Sequence, residues 1–226
     1  VARARKLKRP VRRPAKATKR RIVRLDNDER RTQLLTMGRH AFATQSYDDV
    51  SIDDLAAKAK ISKGLFYYYF PTKRDLYIAG LRETARELMV KLTSVPRDMP
   101  PRERAMLSID AYLEHVANQS SGFVALMRGG IGSDPEVAAV LESVRGGILD
   151  EFLSGAPISG LLAKRPLSRL AIRGWIGLVE ASSIEWLSSR TPAREVVREL
   201  LVDMLFVLLL RVLDPKDTQY LGIAGR

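Results

Sequence analysis

Apolar residues recur along almost the whole chain at the three-and-four spacing of helices, and no alternating strand pattern runs longer than four residues. Leu34, Gly38, Ala41 and Phe42 share one face of a first helix, capped by Asp26 or Asn27 and ending near Gln45. Ile52, Leu55, Ala56 and Ala59 make a short second helix, and Ile61, Phe66 and Phe70 anchor a third of about two turns. Leu76, Tyr77, Gly80, Leu81, Leu88 and Leu92 predict a fourth helix over residues 73–94, ended by the prolines at 96, 100 and 101. Further helices are predicted over 101–118, 123–128, 134–152, 167–189 and 192–213, with a loop over 155–166. Asp134 and Thr191 are read as caps, each followed by a proline at the helix start. The fold class is therefore all-α.

The most specific stretch is residues 51–75. Ser51 precedes Asp54 by three places and Thr72 precedes Asp75 likewise, the spacing of a capping box. Ser62 opens the helix between them. Two short helices joined by a tight turn make a helix-turn-helix, whose second helix enters the DNA major groove. Gly64 permits close approach to a base edge or phosphate, while Lys63 and Lys73 flank the helix with charge. The hydroxyls of Tyr67 and Tyr69 reach phosphates or base edges.

Residues 29–81 resemble the DNA-binding domain of the TetR family of bacterial regulators. The resemblance rests on Ala41-Phe42-Ala43-Thr44-Gln45-Ser46-Tyr47, on Ser51-Ile-Asp-Asp-Leu-Ala56, and on Ser62-Lys-Gly-Leu-Phe-Tyr-Tyr-Tyr-Phe-Pro-Thr-Lys-Arg-Asp-Leu76. Two positions depart from the family pattern. Leu65 stands where Thr or Ser is commoner, which suits a thymine methyl or a sugar. Tyr69 stands where His is more frequent. The expected DNA-facing set is Ser51, Lys63, Gly64, Leu65, Tyr67, Tyr69 and Lys73. The resemblance implies a helix-turn-helix domain at 26–73 and a helical domain at 74–226 for effector binding and dimerisation.

Charge adds an arm to this picture. Residues 1–25 hold twelve Lys and Arg and no acid, and the chain's formal net charge is +12, so residues 26–226 are formally neutral. Pro10, Pro14 and few large apolar side chains predict a disordered basic arm. It reads either as an electrostatic contact to double-stranded DNA, with Arg20, Arg21 and Arg24 nearest the first helix, or as a solvated tail. No apolar segment follows the basic run, unlike a signal peptide. The longest nearly apolar run, residues 200–213, is too short for a membrane helix. A cytoplasmic protein without membrane contact is expected. There is no cysteine, hence no thiolate chemistry.

Between 196 and 213 apolar residues cover nearly the whole helix circumference, which calls for burial on several sides. One reading is an intramolecular core helix. The other is a homodimer, as the family implies, through Leu201, Leu205 and Leu208 against small residues Gly174, Gly177, Ala181 and Ser182. The family also implies a pocket for a small hydrophobic effector. Tyr112, Phe123, Met127, Trp175 and Trp186, with His115, Arg128 and Glu180 as polar contacts, either line it or are core. Gly129 to Ser133 lacks the Lys and the strand of a phosphate loop. Glu142, Asp150 and Glu151 read as a solvated helix face. No metal site, cofactor or catalytic set is expected. The chain reads as a sequence-specific regulator, a repressor released from an inverted-repeat operator by its effector. The alternatives are a DNA-coating protein dominated by its arm, and a helical enzyme with a vestigial DNA motif.

Overall fold

The structure is a computed structural model that describes residues 27–119, 134–155 and 158–221. The arm with Arg20, Arg21 and Arg24, the predicted helix over 123–128 with Phe123, Met127 and Arg128, and the glycines at 129–132 lie outside the described residues. The described residues are helical and contain no strand.

Helices α1 (Asn27–Thr44), α2 (Ile52–Ala59) and α3 (Lys63–Tyr69) precede a long α4 (Lys73–Thr93). Local chemistry sets each start. Ser51 Oγ accepts the Asp54 amide at 3.2 Å and Ser62 Oγ accepts the Leu65 amide at 3.2 Å. The reciprocal capping box expected at both Ser51 and Thr72 forms at Thr72, where Asp75 accepts the Thr72 amide at 3.0 Å and Thr72 accepts the Asp75 amide at 3.0 Å. Between α2 and α3, Lys60 takes the left-handed conformation (φ 57°) and returns its N–H to the carbonyls of Ala56 and Ala57. That is the tight turn of the motif.

The first core joins Leu34, Phe42, Leu55, Phe66 and Phe70 to Leu76, Tyr77 and Ile78 from the start of α4. It continues past residue 73 and takes in Val137 from a later helix. Phe42, Tyr47 and Tyr77 meet edge to face or stacked, with Phe42 and Tyr77 centroids 4.9 Å apart.

The second core is built from α5 (Pro101–Asn118), α6 (Pro135–Asp150), α8 (Pro166–Ser189) and α9 (Arg194–Val212). Asp134 caps α6 and Pro135 starts it, as its sequence predicts. The helix expected to reach Phe152 instead becomes a π-helical turn over Glu151–Gly155. The predicted loop contains a one-turn helix, α7 (Ser159–Leu162), whose Leu162 is fully buried. Thr191 does not cap α9. That helix starts at Arg194 after Ala193, and the Pro192 carbonyl is taken by Trp186 Nε1 at 3.0 Å. A 3-10 turn, Pro215–Leu221, folds back so that Leu221 joins the same core, pinned by Arg165 to Asp214 and Asp217.

Gly38 is where α1 and α4 come closest. A Cβ there would lie 2.8 to 2.9 Å from the Leu76 side chain, which is itself fully buried. Gly38→Ala is expected to destabilise the protein by about 1–3 kcal/mol through overpacking. Urea denaturation of the two proteins checks this; equal midpoints would mean that α1 and α4 can separate at no cost.

Candidate nucleic-acid interface and buried cavity

Helix α3 buries Phe66 and turns the rest of its surface outward. Leu65 is 41% exposed, Tyr67 37% and Tyr68 70%, and Lys63 and Gly64 are also exposed. A side chain added at Gly64 would meet nothing within 4 Å. Lys63 Nζ pairs with Asp53 of α2 at 2.8 Å. This face carries hydroxyls, one paired ammonium and one aliphatic side chain, and no guanidinium or amide for bidentate base reading. Tyr68 was absent from the expected set. In a run of three tyrosines the choice depends on the helix phase, and Phe66 at the core fixes it only once α3's short length is known.

Two expected contacts are engaged within the domain. The Tyr69 hydroxyl donates to Asn27 Oδ1 at 3.1 Å, tying α3 to the start of α1. Lys73 Nζ donates to the carbonyls of Asp48 (3.0 Å) and Val50 (2.9 Å) and lies 4.7 Å from the centre of the Tyr47 ring. It locks the α1–α2 turn onto the start of α4. Ser51 is half-buried as the α2 cap.

Helix α6 couples this unit to the second domain. Asp134 caps α6 with its Oδ1 and accepts Arg74 Nε of α4 on Oδ2 at 2.5 Å. Glu136 receives Arg74 at 3.0 Å and Arg82 at 2.6 Å. The Arg74 guanidinium holds the Asp134 carboxyl down to about 2, so the link is ionised throughout the neutral range. Val137 is fully buried in the first core with Leu141 packed beside it, while Leu141, Val140, Val144 and Ile148 line a cavity farther along the helix.

That cavity measures about 230 Å³ and its wall is mostly apolar. It runs from Phe42 of α1 and Tyr77 of α4 to Leu205 and Leu209 of α9. Tyr112, His115, Trp175 and Glu180, named from sequence, all line it. Trp186 does not; its indole packs on the α8–α9 turn. The Trp175 indole donates to the Leu201 carbonyl at 2.9 Å and meets Phe152 edge to face. Glu151, expected on a solvated face, also lines the cavity and accepts Arg104 at 2.6 Å. His115 is buried and makes no hydrogen bond to a described residue. Burial, then Lys91, lowers its pKa below 6.5, with Arg39 adding to this and Glu87 opposing it.

Two of the three expected dimer residues on α9 are corrected: Leu201 and Leu205 are 0% and 1% exposed inside this chain's own core, while Leu208 packs against it and stays partly exposed. An all-apolar helix does not show which side its own chain covers. The uncovered side is Val196, Leu200, Met204, Val207 and Leu210. On α8 the outward stripe is Leu167, Leu170, Gly174, Leu178 and Ala181, with Gly174 and Gly177 open to close approach.

Among the described residues no cluster of His, Cys, Asp or Glu could hold a metal, and no helix is long and apolar enough to cross a membrane. A helix-turn-helix on a cavity-bearing helical domain defines a DNA-binding transcriptional regulator. Residues 34–79 match the description "Bacterial regulatory proteins, tetR family", and 101–208 match "Tetracyclin repressor-like, C-terminal domain". A tetR-family transcriptional regulator from Streptomyces coelicolor is 31% identical, with a TM-score of 0.76 over 87% of this chain and 86% of that one. The transcriptional activator FasR of Mycolicibacterium smegmatis is 28% identical over 76% of this chain and 79% of its own. FadR of Bacillus subtilis, solved in complex with stearoyl-CoA, shares the fold at 18% identity, with a TM-score of 0.62 over 77% of this chain and 96% of that one. The chain belongs to the TetR family.

His115 gives a testable sign. Its folded pKa lies below its unfolded one, so below about 6.5 the unfolded chain binds the extra proton. The stability held by neutral His115 is present at pH 7 and lost as pH falls through the folded value. His115→Gln should flatten the difference in stability between pH 7 and pH 5, followed by urea titration. Parallel curves for the two proteins would show that the imidazole titrates freely.

Proposed function

We propose that the chain works in the cytoplasm as a homodimeric regulator that holds an inverted-repeat operator and releases it when a small hydrophobic effector fills the cavity. What supports this is that Phe42 and Tyr77 belong to the core of the DNA-binding unit and also line the cavity. A ligand that fits better when α4 and α6 move apart shifts the population toward an arrangement in which the two α3 helices no longer match the groove spacing. Where the operator overlaps a promoter, this makes the protein a repressor. No catalytic step is required.

In this reading Gly64 and Leu65 meet the base edges, the Tyr67 and Tyr68 hydroxyls take phosphates, and Ser51 stands beside the backbone at the start of α2. Lys63 is drawn from Asp53 toward phosphate. The basic arm lies along the duplex, each phosphate it neutralises adding about 0.9 to the slope of log affinity against log salt. The second copy covers the outward stripes of α8 and α9, whose two-fold pairing makes a four-helix bundle.

Footprinting tests the symmetry: two half-sites in inverted orientation, with centres roughly 34–36 Å or a multiple apart. A direct repeat would contradict the two-fold dimer, and uniform coating of any DNA would favour the DNA-coating alternative. Leu170→Arg tests the dimer. Leu170 is exposed in the single chain, so this change spares the fold but buries a charge in the proposed bundle. A helical monomer with much weaker operator binding is expected by sedimentation and titration. A dimeric variant would move the interface elsewhere.

A further inference from the structure

Besides His115, Gln119 and the hydroxyl side chains of Thr84, Thr93 and Ser108, the cavity wall carries two kinds of polar group that bear on a ligand's charge. The charged ones are closed on one another. Arg39 is held by both oxygens of Glu87. Arg104 donates to Glu151 at 2.6 Å, and Glu151 also takes Arg97 at 2.9 Å. Glu180 accepts Nε and Nη2 of Arg145, both at 2.8 Å. A ligand carboxylate that took the faces of these arginines now paired to Glu87 or Glu151 would displace those carboxylates, and a ligand ammonium would compete with the arginines. Either exchange breaks a pair such as Arg104–Glu151, whose side chains are 10% and 19% exposed.

The other kind is unpaired. The Tyr112 hydroxyl and the Nε–H groups of Arg39 and Arg104 are buried without hydrogen-bond partners, and all three can donate. They belong to three residues that line the same cavity. Orphaned buried donors are uncommon and costly, and a partner recovers that cost. Tyr112 is the neutral one. Ser183 stands close enough to influence it but not in hydrogen-bonding geometry, and its own proton goes to the Val179 carbonyl at 2.7 Å. Burial, reinforced by Glu180, raises the Tyr112 pKa, so the phenol keeps its proton at any working pH.

We propose that the cavity takes an uncharged ligand with an apolar body and a carbonyl acceptor, an ester or ketone, and that the Tyr112 hydroxyl donates to that carbonyl. This rests on the reading of the cavity as an effector site. It adds the chemical class: neutral, with a carbonyl acceptor.

The test uses the full chain and four probes built on the same ten-carbon chain: methyl decanoate, decanoate, decylammonium and decane. Calorimetry should show methyl decanoate binding about two- to tenfold more tightly than any of the other three, the magnitude of one hydrogen bond. Tyr112→Phe, which removes only an unpaired hydroxyl, should erase the ester's advantage over decane and leave decane binding unchanged. Decanoate or decylammonium binding as tightly as the ester would overturn the inference, as would an ester preference that survives Tyr112→Phe. Operator release is read separately by anisotropy. If the ester binds and the operator stays bound, release by cavity filling fails while the ligand class stands. If no probe binds, the effector site and this inference fall together.

Discussion

Helix α4 is shared by two cores, and the rest of the structure depends on that. Its first turns bury Leu76, Tyr77 and Ile78 beneath the recognition helix. Farther along, Leu88 lies in the core of the second domain, and Leu81, Leu88 and Leu92 line the cavity. Each fully buried side chain of this size contributes about 1.5–3 kcal/mol. Neither half can therefore give up its end of the helix without a large fraction of the protein's stability. The start of α4 is fixed by the Thr72–Asp75 box and the Lys73 lock, and α6 runs beside it through the Arg74–Asp134 link. A displacement in the cavity wall can be absorbed by moving these helices as rods more cheaply than by unpacking either core.

The charged residues follow the same logic. At the domain junction, arginines on α4 grip carboxylates at the start of α6; along the cavity, arginines and carboxylates are paired with each other. Exposed pairs of this kind add little stability. Their value here is geometric, since a bidentate arginine sets the distance and angle between two helices. The charged residues that line the cavity, Arg39, Arg104, Glu151 and Glu180, balance in number and each is held in a pair, so the proposed selectivity falls to unpaired donors on an apolar wall.

Much of this was legible in the sequence because helix caps and turns are local. Ser51, Ser62, Thr72 with Asp75, and Asp134 with Pro135 all sit where their spacing put them. The Ser51 box closed only halfway. What was not legible concerns facing. Helix α9 is apolar on every side, so its own chain's claim on Leu201 and Leu205 could not be told from a partner's. In the run Tyr67-Tyr68-Tyr69, only packing shows that Tyr68 points out and Tyr69 back to Asn27. Lys73 looked like a free cation because the carbonyls it satisfies belong to a turn more than twenty residues earlier. Glu151 looked solvated because Arg104, which it pairs with at the cavity wall, lies on a helix far earlier in the chain. Tyr112, His115, Trp175 and Glu180 line one cavity, yet core and cavity wall use the same residue types, and only the packed structure separates them.

The central claim is that cavity volume and operator affinity are coupled through α4 and α6. Coupling of this kind is reciprocal and does not require a natural ligand to be seen. Val144 lines the cavity from α6, midway between the two cores, and is partly buried. Val144→Trp places a large side chain where an effector would lie. The account predicts a folded, dimeric variant by circular dichroism and sedimentation, with operator affinity reduced by about tenfold or more, the range of ordinary allosteric couplings. A folded, dimeric variant that binds the operator as the parent does would contradict it.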